Sequence, residues 1–151
     1  MDKFDFIDSA VEAELRSRGV YASVTKGASM RPLFKTNRDV VFLKVPSDEL
    51  KKYDVVLYKN GAGRYTLHRI VRVFPEGFII RGDNTYAPER VPKDRIIGVL
   101  TDFNRRGKKH SVTDFGYRFY SRLWTFIYPA RFLMYKALYL AYRVYKKIFR
   151  K

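Results

Sequence analysis

Three short segments contain the residue types that acyl transfer by an activated serine requires. Ser29 lies in the segment GASMRP, His68 in LHRIV and Asp83 in RGDN, in that order along the chain. A serine hydroxyl is a weak nucleophile until a base within hydrogen-bond reach accepts its proton, and a carboxylate can orient that base. Each residue alone also fits a structural role, as a turn serine, a half-buried strand histidine and an acid that caps a turn. Taken together, the three segments favour a catalytic serine.

The composition narrows the chemistry that the chain can perform. Its 151 residues suit one domain with a modest core, and a hydrophobic content of 46% is typical of a globular protein. The absence of cysteine excludes disulfides, thiolate catalysis and cysteine-based zinc sites. Two histidines, His68 and His110, are too few for a histidine-rich metal site, so we expect no metal and no cofactor. We expect His110 to be a surface residue in a basic turn.

The hydrophobic pattern predicts a mainly β domain with helices at both ends. Residues 1–19 form an N-terminal helix in this prediction, residues 20–113 a β-rich domain and residues 114–151 a basic, aromatic helical tail. The predicted strands span 20–25, 39–45, 54–58, 64–74, 78–81 and 96–103. An irregular loop is predicted over 82–95, and a basic turn over 105–109 ends the β region.

The tail combines positive charge with apolar side chains. Residues 114–151 contain nine Lys or Arg and one acid, which is half of the formal net charge of +16. In the last helix, predicted to start or kink at Pro129, a basic stripe lies opposite a wide apolar face. The stripe comprises Lys136, Arg143, Lys147 and Arg150, and the face comprises Phe132, Leu133, Leu138, Tyr139, Tyr142, Tyr145 and Phe149.

Such a helix suits the headgroup region of an anionic membrane, which we expect as a partner of residues 114–151. Packing on the β core or on another protein is the alternative. Nucleic acid is suggested by charge alone, without a recognisable motif, and we do not expect it as a partner.

The chain resembles the signal peptidase I superfamily, whose S24/S26-type serine peptidases include self-cleaving repressor-type enzymes. The resemblance covers roughly residues 20–103, and three segments carry it: Gly27–Pro32, Thr66–Val71 and Arg81–Asn84. The segment 54–58 resembles the family's GDVV strand, with Tyr53 where glycine is usual. The closest subgroup is the archaeal and endoplasmic-reticulum kind, which uses histidine as base. The N-terminal membrane span that is usual in the family is not expected here.

The resemblance implies a signal-peptidase/repressor-type β-rich fold and a Ser-His-Asp mechanism. Ser29 would be the nucleophile, His68 the base, and the backbone N–H of Ser29 part of an oxyanion hole. Asp94 and Asp83 both remain candidates for the acid. We favour Asp94 as the residue that orients His68 and Asp83 as a structural acid. The intervening loop over residues 85–93 departs from the family in length.

The function we expect is therefore a serine endopeptidase that cleaves a leader or signal-like peptide from a polypeptide. The resemblance implies an extended substrate with small residues near the cut. The alternative is a catalytically inactive peptide- or membrane-binding module of the same fold. The first residues are acidic and no apolar run reaches about 18 residues, so the sequence predicts neither a signal peptide nor a membrane span. We expect a cytoplasmic protein, peripheral at the inner face of the membrane.

Overall fold

Eight antiparallel strands and three helices make up the computed structural model, which describes residues 3–149 and the side chains of residues 11–148. The helices are α1 (Lys3–Arg18), α2 (Phe115–Phe126) and α3 (Tyr128–Phe149). The strands are β1 (Val20–Val24), β2 (Val40–Lys44), β3 (Val55–Lys59), β4 (Tyr65–Phe74), β5 (Gly77–Arg81), β6 (Glu89–Pro92), β7 (Ile96–Arg105) and β8 (Lys108–Ser111). A short 3₁₀ helix, Lys93–Arg95, joins β6 to β7. The prediction of a mainly β chain is confirmed.

One sheet carries all the strands, in the order β1-β2-β7-β3-β4-β5-β6, with β8 added to β7. Strand β3 lies inside the sheet, and its first four residues are buried. Val55 and Leu57 belong to one core cluster, whereas Val56 and Tyr58 belong to a second one. Because successive side chains of a strand point to opposite faces, β3 is covered on both faces. An unbroken apolar run is the sequence pattern that such a strand needs.

Two strands lie where the sequence predicted loop or turn. Strand β6 lies within the predicted loop 82–95 and ends at Pro92, and it forms the edge of the sheet next to β5. An edge strand tolerates proline and needs little apolar patterning, which is why the segment was not recognised. Strand β8 follows the turn at Arg106 and Gly107, whose φ angles are 53° and 77°. Two positive φ angles are typical of a tight hairpin, so the basic turn connects two strands rather than ending the β region.

The three helices differ in how they meet the sheet. Val11 and Leu15 of α1, together with Tyr117 of α2, belong to the first core cluster. Helix α3 begins at Tyr128, with Pro129 in its first turn, where the missing N–H of proline has no cost. From residue 133 onward its described side chains are exposed. The predicted contributions of Phe149 to the apolar face and of Arg150 to the basic stripe lie outside the described side chains.

Across residues 3–149, no helix combines the length and the apolar character needed to cross a bilayer.

Candidate active site

Ser29 lies in a turn between β1 and β2 that is held in place by side chains buried in the core. Residues 27–35, here called the serine loop, contain Met30, Leu33 and Phe34, and these three side chains are buried in the first core cluster. Gly27 enters the loop with a φ of 76°, a conformation that glycine adopts without strain. The buried apolar side chains that follow Ser29 fix the position of its backbone, and Ser29 itself is half-buried.

The Gly-Asp-Asn segment holds the serine loop from the other side. The backbone N–H of Asn84 donates to the carbonyl oxygen of Ser29 at 2.7 Å, and the Asn84 side-chain amide donates to the carbonyl of Ala28 at 3.3 Å. The backbone N–H of Ser29 makes no hydrogen bond within the described part of the chain. That N–H is therefore free to donate to an incoming oxygen.

Gly82 is the point where the three segments converge. A Cβ atom added to Gly82 would lie 2.6 Å from the carbonyl oxygen of Ser29 and 2.9 Å from Nε2 of His68. A real Cβ atom essentially never comes this close to a non-bonded heavy atom, so only glycine allows the serine loop and the imidazole to approach as they do. The structure thus brings together Ser29 and His68, which the sequence had placed 39 residues apart.

His68 lies on β4 with its ring buried, and only 6% of the residue is exposed. Its Nε2 faces Gly82, while Nδ1 lies 3.1 Å from the hydroxyl of Tyr58. Burial lowers the pKa of His68 below its ordinary value, against the charges of Glu89 and Asp83, which raise it. The ring is therefore neutral near pH 7 and can accept a proton. Among the described residues, no hydrogen bond joins the Ser29 hydroxyl to the ring.

Glu89 and Tyr58 form the environment of the far ring nitrogen. A carboxylate oxygen of Glu89 lies 4.0 Å from Nδ1 of His68, and Glu89 is the only described carboxylate within that distance of the ring. Tyr58 is fully buried. Burial, together with the charge of Glu89 and hydrogen bonding to it, raises the pKa of Tyr58, so the phenol keeps its proton. Nδ1, the phenol and the carboxylate can therefore share a chain of hydrogen bonds.

Sequence reasoning missed both of these residues. Tyr58 was read as a strand residue, and Glu89 was counted as part of an irregular loop. The signal that could have pointed to Glu89 was its position as a carboxylate shortly after the Gly-Asp-Asn segment, within the predicted loop over residues 82–95. Its position beside the ring depends on the pairing of Ile80 with Glu89 between β5 and β6, a register that the loop pattern did not reveal.

Asp83 does not contact the imidazole, because its carboxylate is fully engaged elsewhere. Arg69 donates to both carboxylate oxygens at 2.8 Å, and the hydroxyl of Tyr120 donates to one of them at 2.9 Å. Arg69 also donates to the hydroxyl of Ser121 on α2 at 2.8 Å. The pair is buried, with the side chains 1% and 3% exposed. Through these contacts Asp83 joins β4, its own loop and α2.

Asp94, the favoured partner of His68, lies elsewhere. It is exposed on the 3₁₀ helix and lines a separate cavity of about 940 Å³ whose other charged lining residues include Glu12 and Lys59. Its carboxylate is not within 4.0 Å of either ring nitrogen, a distance at which Glu89 is found instead. The expectation that Asp94 orients His68 therefore does not fit the structure. Strand β6 carries Glu89 to the ring, whereas Asp94 lies beyond the end of that strand, on the 3₁₀ helix.

The other sequence candidates lie away from this centre. His110 lies on β8, where its ring stacks on Phe103 with the ring centroids 5.2 Å apart. Its Nδ1 is 3.8 Å from a carboxylate oxygen of Asp114. Within the described residues, no group of three or more histidine and carboxylate side chains is arranged to hold a metal ion.

No protein-family model matches the chain, and no curated protein is significantly similar to it. The chemical interpretation of the site therefore depends on its own residues and geometry.

Proposed function

We propose that this chain is a serine endopeptidase with Ser29 as nucleophile and His68 as base. The observation that carries the proposal is the convergence at Gly82, where the backbone of the serine loop and Nε2 of a buried, neutral imidazole both lie in the space that a side chain would occupy. A larger residue at position 82 would separate the serine loop from the imidazole, so the glycine is what permits the two to be neighbours.

The proposed mechanism uses each nitrogen of the imidazole for one task. Nε2 accepts the proton of the Ser29 hydroxyl as its oxygen attacks the substrate carbonyl, and the oxyanion takes a hydrogen bond from the free N–H of Ser29. Nδ1 carries a proton towards Tyr58 and Glu89, whose negative charge stabilises the imidazolium that forms. His68 then protonates the leaving amine, and water releases the acyl group by the same steps in reverse. The Ser29–His68 hydrogen bond, open here, would form when a substrate is bound.

A signal-peptidase-like fold is part of the proposal, and the backbone conformation just before β3 supports it. Tyr53 stands where the resembled family has glycine, and its φ is 83°, in the left-handed region that glycine adopts most easily. The carbonyl of Tyr53 accepts a hydrogen bond from Arg69 at 3.0 Å. By the same resemblance, we propose an extended leader or signal-like peptide with small side chains near the cut as the substrate.

Labelling with a fluorophosphonate at mildly alkaline pH tests the nucleophile. We expect label on Ser29, located by peptide mass, and no label in Ser29→Ala or His68→Ala. Ser23→Ala, a change of another half-buried serine on β1, is the matched control and should label as the parent does. Cleavage of a library of small-residue peptides, measured on the same variants, gives a second readout that does not need the probe to fit.

A non-catalytic peptide-binding module is the second candidate, and the missing Ser29–His68 hydrogen bond is the observation that favours it. A folded protein that neither labels nor cleaves, and whose peptide binding survives Ser29→Ala, would replace the peptidase by this module. Cleavage that persists in Ser29→Ala would refute the assignment of the nucleophile.

A further inference from the structure

Helix α2 has an exposed stripe of phenylalanine opposite its buried face. Phe115, Phe119 and Phe126 are 84%, 57% and 82% exposed. Their spacing puts them on one side of the helix. The opposite side holds Tyr117 and Ser121, which are buried beside Arg69. The stripe therefore points away from the sheet.

Helix α3 contacts the domain in its first two turns, and from residue 133 onward its described side chains are exposed. Tyr86, in the loop after Asp83, stacks on Tyr135 with ring centroids 4.3 Å apart and also contacts Tyr128 and Phe132. The face on the other side of the helix is aliphatic, at i, i+7, i+11 and i+15 spacing, and solvent-exposed. It comprises Leu133, Leu140, Val144 and Ile148, which are 70%, 62%, 49% and 63% exposed. This aliphatic face also points away from the domain.

The charge of both helices is entirely of one sign. Residues 115–148 contain seven Lys or Arg and no acidic residue. On α3, Lys136, Arg143 and Lys147 flank the aliphatic face at i, i+7 and i+11. Lysine and arginine can extend their charged ends past apolar neighbours, so these cations can reach phosphate groups while the aliphatic face is buried.

We propose that α2 and α3 dock this protein onto an anionic phospholipid bilayer, with the phenylalanine stripe and the aliphatic face in the boundary between headgroups and acyl chains. A second copy of the chain fits poorly, because pairing these surfaces would bring seven positive charges of each copy together. Nucleic acid would match the charge but offers no apolar surface to cover the aliphatic side chains. The proposal rests on α2 and α3 and does not depend on Ser29 being a nucleophile.

Side-chain hydrogen bonds connect both helices to the candidate site. The indole N–H of Trp124 and the guanidinium of Arg131 donate to the carbonyl of Asp83 at 2.8 and 3.0 Å. The hydroxyl of Tyr128 donates to the carbonyl of Tyr86 at 2.9 Å. Docking would therefore hold the Gly-Asp-Asn segment at a fixed position relative to the lipid surface.

Flotation of the full chain with phosphatidylcholine vesicles, with and without phosphatidylglycerol, tests the proposal. We expect the protein to float with the anionic vesicles only. Substitution of the aliphatic face by Leu133→Gln, Leu140→Gln and Val144→Gln should abolish binding. Neutralising the flanking cations by Lys136→Gln, Arg143→Gln and Lys147→Gln should weaken it by about 100-fold.

The matched control removes the same charge from the β domain, through Lys26→Gln, Lys51→Gln and Lys108→Gln at exposed positions. This control should keep most of the binding, and circular dichroism should show that every variant is folded. Equal loss in the control would show a non-specific charge effect and overturn the docking surface.

Two other outcomes would also overturn the proposal. The first is self-association in sedimentation, lost in the aliphatic variant, without vesicle binding. The second is retardation of DNA without vesicle binding.

Discussion

Replacing Asp83 by asparagine should destabilise the fold severely, because it leaves the Arg69 guanidinium without its counter-charge. The two side chains are 1% and 3% exposed, so solvent cannot compensate. Burial alone would lower the pKa of Arg69, but the charge and hydrogen bonds of Asp83 raise it above its ordinary value. In the variant Arg69 nevertheless stays charged, because a guanidinium keeps its proton in proteins, and this buried charge then has no carboxylate partner.

Removing one partner of such a buried pair costs about 3–5 kcal/mol. For a chain of this size each kcal/mol lowers the melting temperature by about 2–4 °C, so a decrease of about 10 °C is expected. Urea unfolding at neutral pH, followed by circular dichroism and by the fluorescence of the single tryptophan, measures the free energy directly. Trp124 donates to the Asp83 carbonyl and so reports on the same contact.

Two variants make the reasoning refutable. Asp94→Asn makes the same chemical change at an exposed acid, and it should alter the free energy of unfolding by less than about 0.5 kcal/mol. The double variant Arg69→Met with Asp83→Leu removes both charges and should be more stable than Asp83→Asn alone. Either of two results would show that this pair does not hold the site together. One is a decrease in the free energy of unfolding below about 1 kcal/mol in Asp83→Asn. The other is a decrease in the double variant that equals the sum of those in Arg69→Met and Asp83→Leu measured separately.

Four further predictions concern the imidazole and its surroundings. Gly82→Ala should displace the serine loop, abolish fluorophosphonate labelling and cost about 1–3 kcal/mol, whereas Gly116→Ala, with open space around it, should do neither. Because burial lowers the pKa of His68, the pH profile of kcat/KM should fall on the acid side below pH 6.5. Since the charge of Glu89 raises that pKa, Glu89→Gln should move the acid limb to still lower pH, and a move to higher pH would contradict the placement of this carboxylate. Tyr58→Phe should lower kcat/KM by about 3–10-fold, the value of one hydrogen bond, and an unchanged rate would remove Tyr58 from the mechanism.

The sequence alone determined the candidate nucleophile, the candidate base and the class of fold. Ser29 and His68 were recognisable because each lies in a short segment of unusual composition. The β character of residues 20–103 follows from local alternation and from turn residues, which act within a few positions. The helical start at Pro129 is local in the same way. These features depend on neighbours in the chain, so the chain is enough to predict them.

Only the tertiary structure decided which acid serves which partner. Asp83, Glu89 and Asp94 all follow β5 within twelve residues of Gly82, and local pattern cannot distinguish them. The register of β6 on β5 brings Glu89 to the ring, while the buried guanidinium of Arg69 takes up Asp83. A shift of one residue in that register would turn Glu89 to the other face of the sheet, because side chains alternate along a strand. The choice was therefore made by strand pairing and by the need to neutralise a buried charge, neither of which is encoded in any single segment.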